Sequence, residues 1–393
     1  MATQLKHEKL IQLFHALNGL RTAPYQEHWI ADKLDMLLQN TFQGTQESRF
    51  EATIGLELET DQWGNRIARI GRKKFPRDSP LVFVTNLDHP GFTFPPYQSG
   101  IRLEAYFEGA ITEDYLLGAE VRVFCSADDS GTIGIVTECS PPSNKHKRIF
   151  LVIEVQAPVV NPVLAMWNLN SVGADDLQLQ RIACGYCCRI AALLSALDYF
   201  SRAPEKLLRP ITMIFTRAKE AGFSGSLCLL KSEERLKFLP VDAKVFVLES
   251  IPESKTHPLG QGAIMRIGDQ VGSFSHQLIN QSWYSLTHLE ASKQLPLKRA
   301  FLEDSLSEAT AFLAAGYQAA SLCIPTRHWQ NQNLQTGELD EEIICIQDFV
   351  VLVKLIQQLA QQKVEDHPTL ETEPELLQHL EKGLRLLTKN DLS

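Results

Sequence analysis

The spacing of apolar residues predicts two helices and then a hairpin at the start of the chain. Apolar positions recur at helical intervals over 5–18 and 27–39, which indicates two amphipathic helices. The sequence GLELETDQWGNRIARIGRK then alternates between apolar and polar residues, and Asp61 to Asn65 supply a turn that contains Gly64. This pattern is typical of a β-hairpin. The next apolar run, in SPLVFVTNLDHPGF, predicts a core strand that ends in polar side chains.

The pattern changes between about Gly91 and Asn168, where short alternating segments are separated by Gly, Pro, Ser and Asp residues. Such segments predict an inserted all-β unit, either a small barrel or a sandwich. Beyond it we expect helices at 176–197, 274–289, 305–315 and 347–362, and strands in ITMIF, KVFVLES and AASLCIP. Strands that alternate with helices predict a three-layer α/β domain with a largely parallel sheet, which the β insert interrupts.

The last part of the chain differs in composition from the rest. It begins polar and then places Leu376, Leu380, Leu384 and Leu387 on one stripe of a predicted helix. Gly383 weakens this helix by about 1 kcal/mol relative to Ala. We therefore expect a linker and an amphipathic helix over 363–393 that docks on the body of the protein or on a partner.

Composition narrows the class of protein. A chain of 393 residues with 44% hydrophobic residues has enough apolar side chains for a large core and most simply forms two domains. The net charge of -9 argues against a surface for nucleic acid or anionic membranes. The chain begins with neither a signal-peptide nor a transit-peptide pattern, and no apolar run approaches membrane-spanning length. We therefore expect a soluble cytoplasmic protein.

The eight cysteines show no regular framework, which indicates reduced thiols. Cys184, Cys187 and Cys188 cluster on an apolar helical run. We interpret them as small buried residues in preference to a metal site, because free cysteines are among the most buried residue types.

The segment Ile211–Ser226 carries the first candidate chemistry. An apolar strand runs into Thr216-Arg217-Ala218-Lys219-Glu220, and Gly222 and Gly225 follow. A strand end that delivers charged side chains into a glycine-rich turn is typical of the active site of an α/β enzyme. The alternative is an exposed charged loop.

Taken together, these segments resemble the glutamyl and tetrahedral-shell aminopeptidases, which belong to the co-catalytic di-zinc aminopeptidases. The resemblance spans about residues 5–362 and rests on motifs in the family's order, including ETDQWGNRIAR, NLDHPGF, ACGYCCRIAALLSALD, FTRAKEAGFSG, VFVLES and SLCIPTRHWQN. It implies a zinc-aminopeptidase-like α/β domain built from 1–91 and 169–362. It also implies a small inserted β domain at 92–168 that serves oligomer assembly.

The resemblance places the family's catalytic motifs on residues of different chemistry. The HxD motif falls on Asn86-Leu87-Asp88, so an amide stands at the first metal ligand while the orienting aspartate, Asp88, remains. The paired aspartates, whose first bridges the two metals, fall on Gly185 and Tyr186. The bridging carboxylate is therefore missing.

Of the remaining catalytic positions of the family, some keep a suitable side chain and others do not. The glutamate pair falls on Lys219-Glu220, so the general base is a lysine while Glu220 keeps its ligand position. The next ligand position is Glu249, and the final histidine falls on Gln330. Of five metal-ligand positions, only Glu220 and Glu249 keep a suitable side chain.

These substitutions predict a site that has lost its metals. Amides are poor zinc ligands, and a protonated Lys219 would repel a cation. We expect Lys219 to form an ion pair with Glu220, Glu249 or both, because buried charges are rarely unpaired. Tyr186 is expected to fill space near the vacated metal positions. The alternative is that Lys219 points into solvent.

Other side chains are candidates for a residual pocket, namely His89, Tyr186, Arg327 and His328. A replacement metal site formed by His89, His328, Glu220 and Glu249 is conceivable, but nothing in the resemblance implies it. His89 precedes Pro90-Gly91, and a role in that turn is the favoured interpretation.

Three functions follow as hypotheses. The leading one is a non-catalytic homologue that binds or assembles, as a homo-oligomer or with a paralogue through the β insert, with peptides as expected ligands and without a cofactor. The alternative is an active metal-dependent aminopeptidase that holds zinc or cobalt through an altered ligand set. A third is a different hydrolase that uses Lys219 or a cysteine as nucleophile.

Overall fold

The computed structural model describes residues 2–43, 54–72, 80–140, 148–169, 177–288, 295–361 and 378. The helices within these residues are α1 (Ala2–Leu17), α2 (His28–Gln43), α3 (Cys184–Arg202), α4 (Ser224–Lys231), α5 (Arg235–Phe238), α6 (His276–His288), α7 (Ala309–Ala314) and α8 (Ile346–Ala360). None of them is both long and apolar enough to cross a bilayer. The two predicted N-terminal helices are confirmed. The predicted tail helix lies outside the described residues, apart from residue 378.

The strands follow a similar order along the chain. Those before the insert are β1 (Ile54–Thr60), β2 (Arg66–Arg72) and β3 (Leu81–Asn86). Those of the insert are β4 (Gly91–Thr93), β5 (Ser99–Glu108), β6 (Glu120–Phe124), β7 (Thr132–Ser140), β8 (Ile149–Val160) and β9 (Leu164–Trp167). Those after it are β10 (Gln178–Arg181), β11 (Ile211–Thr216), β12 (Lys244–Pro252), β13 (Ala263–Asp269), β14 (Gly272–Ser273), β15 (Leu297–Phe301), β16 (Gln318–Thr326), β17 (Gln332–Asn333), β18 (Glu338–Leu339) and β19 (Glu342–Cys345).

The central sheet is mixed. Its strands lie in the order β1-β2-β11-β3-β12-β16-β13-β14, and β15 pairs with β13. The four middle strands β11, β3, β12 and β16 are parallel, whereas β2 and β13 run antiparallel to their neighbours in this group. The expectation of a largely parallel sheet is therefore correct only for the middle. The four parallel strands have uninterrupted apolar runs because both of their faces are buried.

The insert is a closed barrel in the order β4-β5-β8-β7-β6-β9, which decides between the two predicted forms. Its interior is apolar and aromatic. The ring of Phe92 packs edge-on against Phe107 and Trp167 at centroid distances of 5.1 and 4.9 Å. Closure leaves the sheet without open edges, so the barrel forms a core of its own.

Helices cover both faces of the central sheet. Adjacent residues of a strand point to opposite faces, and at the end of β12 Ser250 contacts α3 while Glu249 contacts the residues that lead into α7. Helix α3 is nearly all buried and packs against α1, α2 and α8. The predicted start of this helix at 176 is wrong, because β10 there pairs with β19 and the helix begins only at Cys184.

Candidate functional site

The residues expected to mark the metal site do meet at one edge of the sheet. The parallel strands β3 and β11 end side by side, with Asn86 opposite Thr216, and β12 ends next to them. The loop after β11 then brings Lys219 and Glu220 to this edge, and the turn after β16 brings Gln330. Parallel strands present their carboxyl ends at a common edge, which is where α/β proteins place their sites.

Asp88 fixes the loop that carries the charged pair. Its two carboxylate oxygens accept hydrogen bonds from the backbone N–H groups of Lys219 and Glu220, at 3.0 and 2.8 Å. The Asn86 side-chain amide donates to the Asp88 carbonyl oxygen at 2.7 Å. Ala218, just before the pair, has a positive φ of 49°. Asp88 therefore holds a tight turn in place, and burial raises its pKa.

The guanidinium of Arg189 fills the centre of this edge. It projects from α3 and donates to Asn86 Oδ1 at 2.8 Å, to Ser250 Oγ at 2.7 Å and to Thr85 Oγ1 at 3.3 Å. The residue is only 5% exposed. A positive charge thus lies in contact with Asn86, the residue at which the resemblance predicts the first metal-binding histidine. Arg189, and not Tyr186, makes these contacts.

Lys219 forms the predicted ion pair, and its partner is Glu249. The Lys219 ammonium lies 3.6 Å from Glu249 Oε1, and Arg266 Nη1 lies 3.3 Å from Oε2 of the same carboxylate. Ser307 Oγ donates to this carboxylate at 2.8 Å, and the backbone N–H of Glu308 donates at 3.2 Å. Burial alone would raise the pKa of Glu249, but Lys219, Arg266 and these hydrogen bonds outweigh it, so the pKa is lowered.

Two other carboxyl groups in the cluster have a raised pKa, in contrast to Glu249. Gln330 Nε2 donates to Glu220 Oε2 at 2.9 Å, and burial raises the pKa of Glu220 to about 7. Glu342 accepts from the backbone N–H groups of Gly185 and Gln330 at 2.8 and 3.0 Å, and burial raises its pKa to about 7 as well. The cation Arg189 limits both shifts. Both groups therefore titrate near neutral pH.

Gly185 has no room for a side chain. A Cβ atom at this position would lie closer to Ser250 Oγ than van der Waals contact allows, and 3.1 Å from Ser250 Cβ. The hydroxyl of Ser250 is itself held by Arg189. Position 185, where the resemblance predicts the bridging aspartate, is therefore closed to any larger residue unless its neighbours move.

His89 and Tyr186 pack against each other beside this cluster. Their rings meet edge-on at 6.1 Å. Burial lowers the pKa of His89 to about 3, so its imidazole is neutral, and Nε2 donates to the Ile182 carbonyl at 2.7 Å. The Tyr186 hydroxyl donates to the Leu20 carbonyl at 3.5 Å. Both rings therefore contact backbone carbonyls distant in sequence, and within its own turn His89 Nδ1 lies 3.3 Å from the Pro90 carbonyl oxygen.

Arg327 and His328 lie beyond the end of β16. Arg327 pairs with Glu253 at 2.6 Å. His328 has a positive φ of 51°, and its Nδ1 lies 3.1 Å from the Glu341 carbonyl oxygen and 3.3 Å from Asp340 Oδ2. Neither contacts the Arg189 guanidinium or the Glu249 carboxylate.

The cysteines are poor candidates for a nucleophile. All eight side chains are free thiols. Burial raises the pKa of Cys187, Cys188 and Cys323, which keeps them in the unreactive thiol form. The Lys219 ammonium is paired with Glu249 and is not free to attack a substrate.

The donors at this edge do not fit a pair of zinc ions. Zinc is held by imidazole, thiolate and carboxylate groups. Asn86 and Gln330 are amides, the Arg189 cation contacts Asn86, and the nearby carboxylates of Asp88, Glu220 and Glu342 accept hydrogen bonds from protein N–H groups. Within the described ranges, no three His, Cys, Asp or Glu side chains are arranged to hold a metal ion. The ligand positions that keep a carboxylate, Glu220 and Glu249, are each engaged by protein donors.

Comparison with known proteins identifies the fold. No family model matches the sequence, and no curated protein matches it. Among solved structures, the TET1 peptidase of Pyrococcus horikoshii is similar over 89% of this chain and 99% of its own, with a TM-score of 0.66 and 17% identity. That peptidase can assemble into a tetrahedron or a large octahedral shell.

Two further structures support the same assignment. Aminopeptidase APDkam598 from the archaeon Desulfurococcus kamchatkensis matches over 91% of this chain and 96% of its own, with a TM-score of 0.68 and 16% identity. The TET aminopeptidase from the marine sediment archaeon Thaumarchaeota archaeon SCGC AB-539-E09 matches over 90% and 96%, with a TM-score of 0.69 and 15% identity. The protein has the fold of the TET aminopeptidases.

Proposed function

We propose that this protein is a non-catalytic homologue of the TET aminopeptidases that acts through binding and assembly. The observation that carries the proposal is the Arg189 guanidinium, which contacts Asn86, Thr85 and Ser250 at the strand ends where the family holds its metals. A second cation, Lys219, stands at the family's general-base position. Without a carboxylate at that position, the chain lacks the group that the family uses to activate a water molecule.

The electrostatic argument can be given a magnitude. A unit charge 4 Å from a divalent ion is repelled by about 8 kcal/mol at an effective dielectric constant of 20, twice the value for two unit charges. Arg189 and Lys219 would both contribute such a term. The carboxylates that remain, Glu220 and Glu249, already have protein partners and would have to exchange them for a metal.

Metal content tests the proposal directly. The purified protein is dialysed and then incubated with zinc, cobalt or manganese, and bound metal is measured by mass spectrometry. We expect less than about a tenth of an ion per chain. Amides stand where the family has metal ligands, and the remaining carboxylates already have protein partners. One or two tightly held ions, together with chelator-sensitive release of N-terminal residues from peptides, would overturn the proposal in favour of an active metallo-aminopeptidase.

We propose further that the chain forms a homo-oligomer through the barrel. An apolar patch lies where β5 and β8 pair near the end of their ladder, and we call it the barrel-end patch: Tyr97, Ile101 and Val160. Tyr97 is 92% exposed and has a positive φ of 64°, an unusual conformation for an aromatic residue. Exposed apolar groups of this size are typical of interaction surfaces.

Light scattering after size-exclusion chromatography tests the assembly proposal. We expect a mass of several chains for the unmodified protein and a smaller mass for the Tyr97→Ser, Val160→Ser variant. Leu334→Ser is the matched control, because Leu334 is equally exposed but lies between β17 and β18. A monomeric unmodified protein, or an unchanged mass in the double variant, would contradict the role of the patch.

A further inference from the structure

A cleft separate from the strand-edge cluster lies between the barrel and the α/β body. Its volume is about 410 Å³, and it is bordered by the connection after α1, by barrel strands β6 and β9, and by the start of α3. Volumes of this size are typical of small-molecule sites. None of Asp88, Arg189, Lys219, Glu220, Glu249 and Gln330 lines it.

Three arginines from distant parts of the sequence converge on this cleft. They are Arg21 after α1, Arg122 on β6 and Arg181 at the end of β10. All three are half-buried. In a protein with a net charge of -9, such convergence of positive charge requires a specific reason. We call this site the arginine cleft.

Among the described residues, the three guanidiniums hydrogen-bond only to neutral groups. Arg122 Nε donates to Asn168 Oδ1 at 3.0 Å, and its Nη1 donates to the Ser130 carbonyl at 3.2 Å. Arg181 Nη1 donates to the Gln180 carbonyl at 2.6 Å. These bonds position each guanidinium, but the two Nη2 donors of Arg122 and four of the five N–H donors of Arg181 make no hydrogen bond to the described residues.

Arg21 is held in a similar way. It donates to the backbone carbonyls of Ser126 and Ala127, and its guanidinium lies 4.2 Å from the centre of the Phe124 ring. Within the described part of the chain, neither Arg21, Arg122 nor Arg181 forms an ion pair with a carboxylate. This contrasts with Arg102 on β5 of the same barrel, which pairs with Glu138 and Glu154.

Acidic groups also lie near the cleft, but none of them forms an ion pair with Arg122 or Arg181 among the described residues. Asp128 and Asp129 act on Arg21 from the barrel loop. The carboxylate of Asp129 is already engaged, because it accepts from the backbone N–H groups of Cys125 and Gly131 at 2.9 and 2.8 Å. In the lining itself, one carboxylate, that of Glu341, stands against the three arginines.

The rest of the lining is largely apolar, and its side chains include Leu20, Phe124, Met166, Leu169 and Ile182. Trp167 also lines the cleft and is 2% exposed, and its indole Nε1 has no hydrogen-bond partner among the described residues. Apolar walls around a few convergent donors are the usual composition of a site for an organic ligand.

We infer that the arginine cleft binds a small organic anion, with a phosphate or carboxylate group held by Arg122 and Arg181 and an apolar body against Phe124 and Met166. The fork of a guanidinium matches both oxyanions, because each offers two oxygen atoms to a pair of parallel N–H donors. The inference does not depend on the metal content of the strand-edge cluster.

Isothermal titration calorimetry at low salt tests the inference, with phenyl phosphate and benzoate as probes. Inorganic phosphate supplies the anionic group alone, and benzyl alcohol supplies the aromatic ring alone. We expect at least one of the two probes to bind at least about tenfold more tightly than inorganic phosphate or benzyl alcohol. One charge-assisted hydrogen-bonded pair changes an affinity by about this factor. The double variant Arg122→Gln, Arg181→Gln should lose at least about tenfold in affinity. Arg102→Gln is the matched control and should bind as the unmodified protein does.

Circular dichroism and thermal melting of the three proteins establish that each variant is folded. Failure of both probes to bind the unmodified protein would overturn the inference, as would equal binding by a folded double variant. Binding of inorganic phosphate as tight as that of phenyl phosphate would overturn the apolar part of the assignment. Binding of phenyl phosphate but not benzoate, or the reverse, identifies which oxyanion the cleft prefers.

Discussion

Replacing Arg189 by methionine should destabilise the folded protein by about 2–4 kcal/mol. The substitution keeps a long apolar stem but removes a cation that donates three hydrogen bonds, to Asn86, Ser250 and Thr85. Hydrogen bonds from charged groups contribute roughly 1.5–3 kcal/mol each. The methionine avoids the cost of burying a guanidinium, several kcal/mol, which offsets part of this loss.

The stability lost in the Arg189→Met variant should also depend on pH. Glu220 and Glu342 titrate near pH 7, and Arg189 favours their charged forms. Without Arg189 their pKa values rise further, so the native state of the variant is penalised most where these groups would otherwise be ionised. We therefore expect a larger difference in the free energy of unfolding at pH 8 than at pH 6.

Denaturant unfolding followed by tryptophan fluorescence measures this difference at both pH values. Arg202→Met is the matched control, because Arg202 lies at the exposed end of the same helix and pairs only with Asp198. We expect about 0.5 kcal/mol or less for that variant, as for other surface ion pairs. If Arg189→Met costs no more than Arg202→Met, the guanidinium does not organise the strand-edge cluster and the reasoning is wrong.

Three further predictions concern the same cluster. Lys219→Glu should destabilise the protein more than Lys219→Met in thermal melts, because it adds a like charge beside Glu249; equal melting temperatures would contradict the ion pair. Burial raises the pKa of Glu342 from the usual value near 4.5 to about 7, so the stability contributed by its protonated form is present below about pH 4.5 and is lost as the pH rises to 7. Between pH 4.5 and 7 the unmodified protein should therefore lose about 3 kcal/mol of unfolding free energy relative to Glu342→Gln. A difference between the two proteins that stays constant over this range would refute the raised pKa. Gly185→Ala should destabilise through its contact with Ser250, and Ser250→Gly should restore stability in the double variant; purely additive effects would contradict the steric argument.

Much of the architecture follows from periodicity and turn residues alone. The opening helices, the hairpin and the β insert each have a regular pattern that local rules interpret correctly. The failure at 176–183 has a clear cause: Gln178–Arg181 form a strand because they pair with Glu342–Cys345, more than 150 residues later. A partner so distant leaves no local signal.

The sequence predicted some of the contacts at the strand ends and missed others. Gln330 does contact Glu220, Asp88 links Asn86 to the backbone of Glu220, and Lys219 does pair with Glu249. Arg189 was missed because it lies in an apolar helical run that reads as core. Two signals could have found it: a charge within that run needs a partner, and it follows Gly185 by four residues, on the same helix face.

Glu342 and Arg266 were also missed, and for a different reason. Each lies on a strand whose contacts with the cluster depend on the folding of the whole sheet: Glu342 reaches Gly185 across 157 residues, and Arg266 reaches Glu249 from the antiparallel strand β13. A sequence pattern reports which face of a strand is apolar. It does not report which buried charge will meet which.

The contact between Gly185 and Ser250 has a consequence for the routes by which this chain can change. An aspartate at 185 needs space that the Ser250 hydroxyl occupies, and that hydroxyl is in turn bonded to Arg189. A carboxylate at 185 therefore requires Ser250 to move or to become smaller, which removes the buried hydrogen bond from Arg189 to the Ser250 hydroxyl. Because either substitution alone should destabilise the protein, the packing of one glycine against one serine limits which residues position 185 can accept.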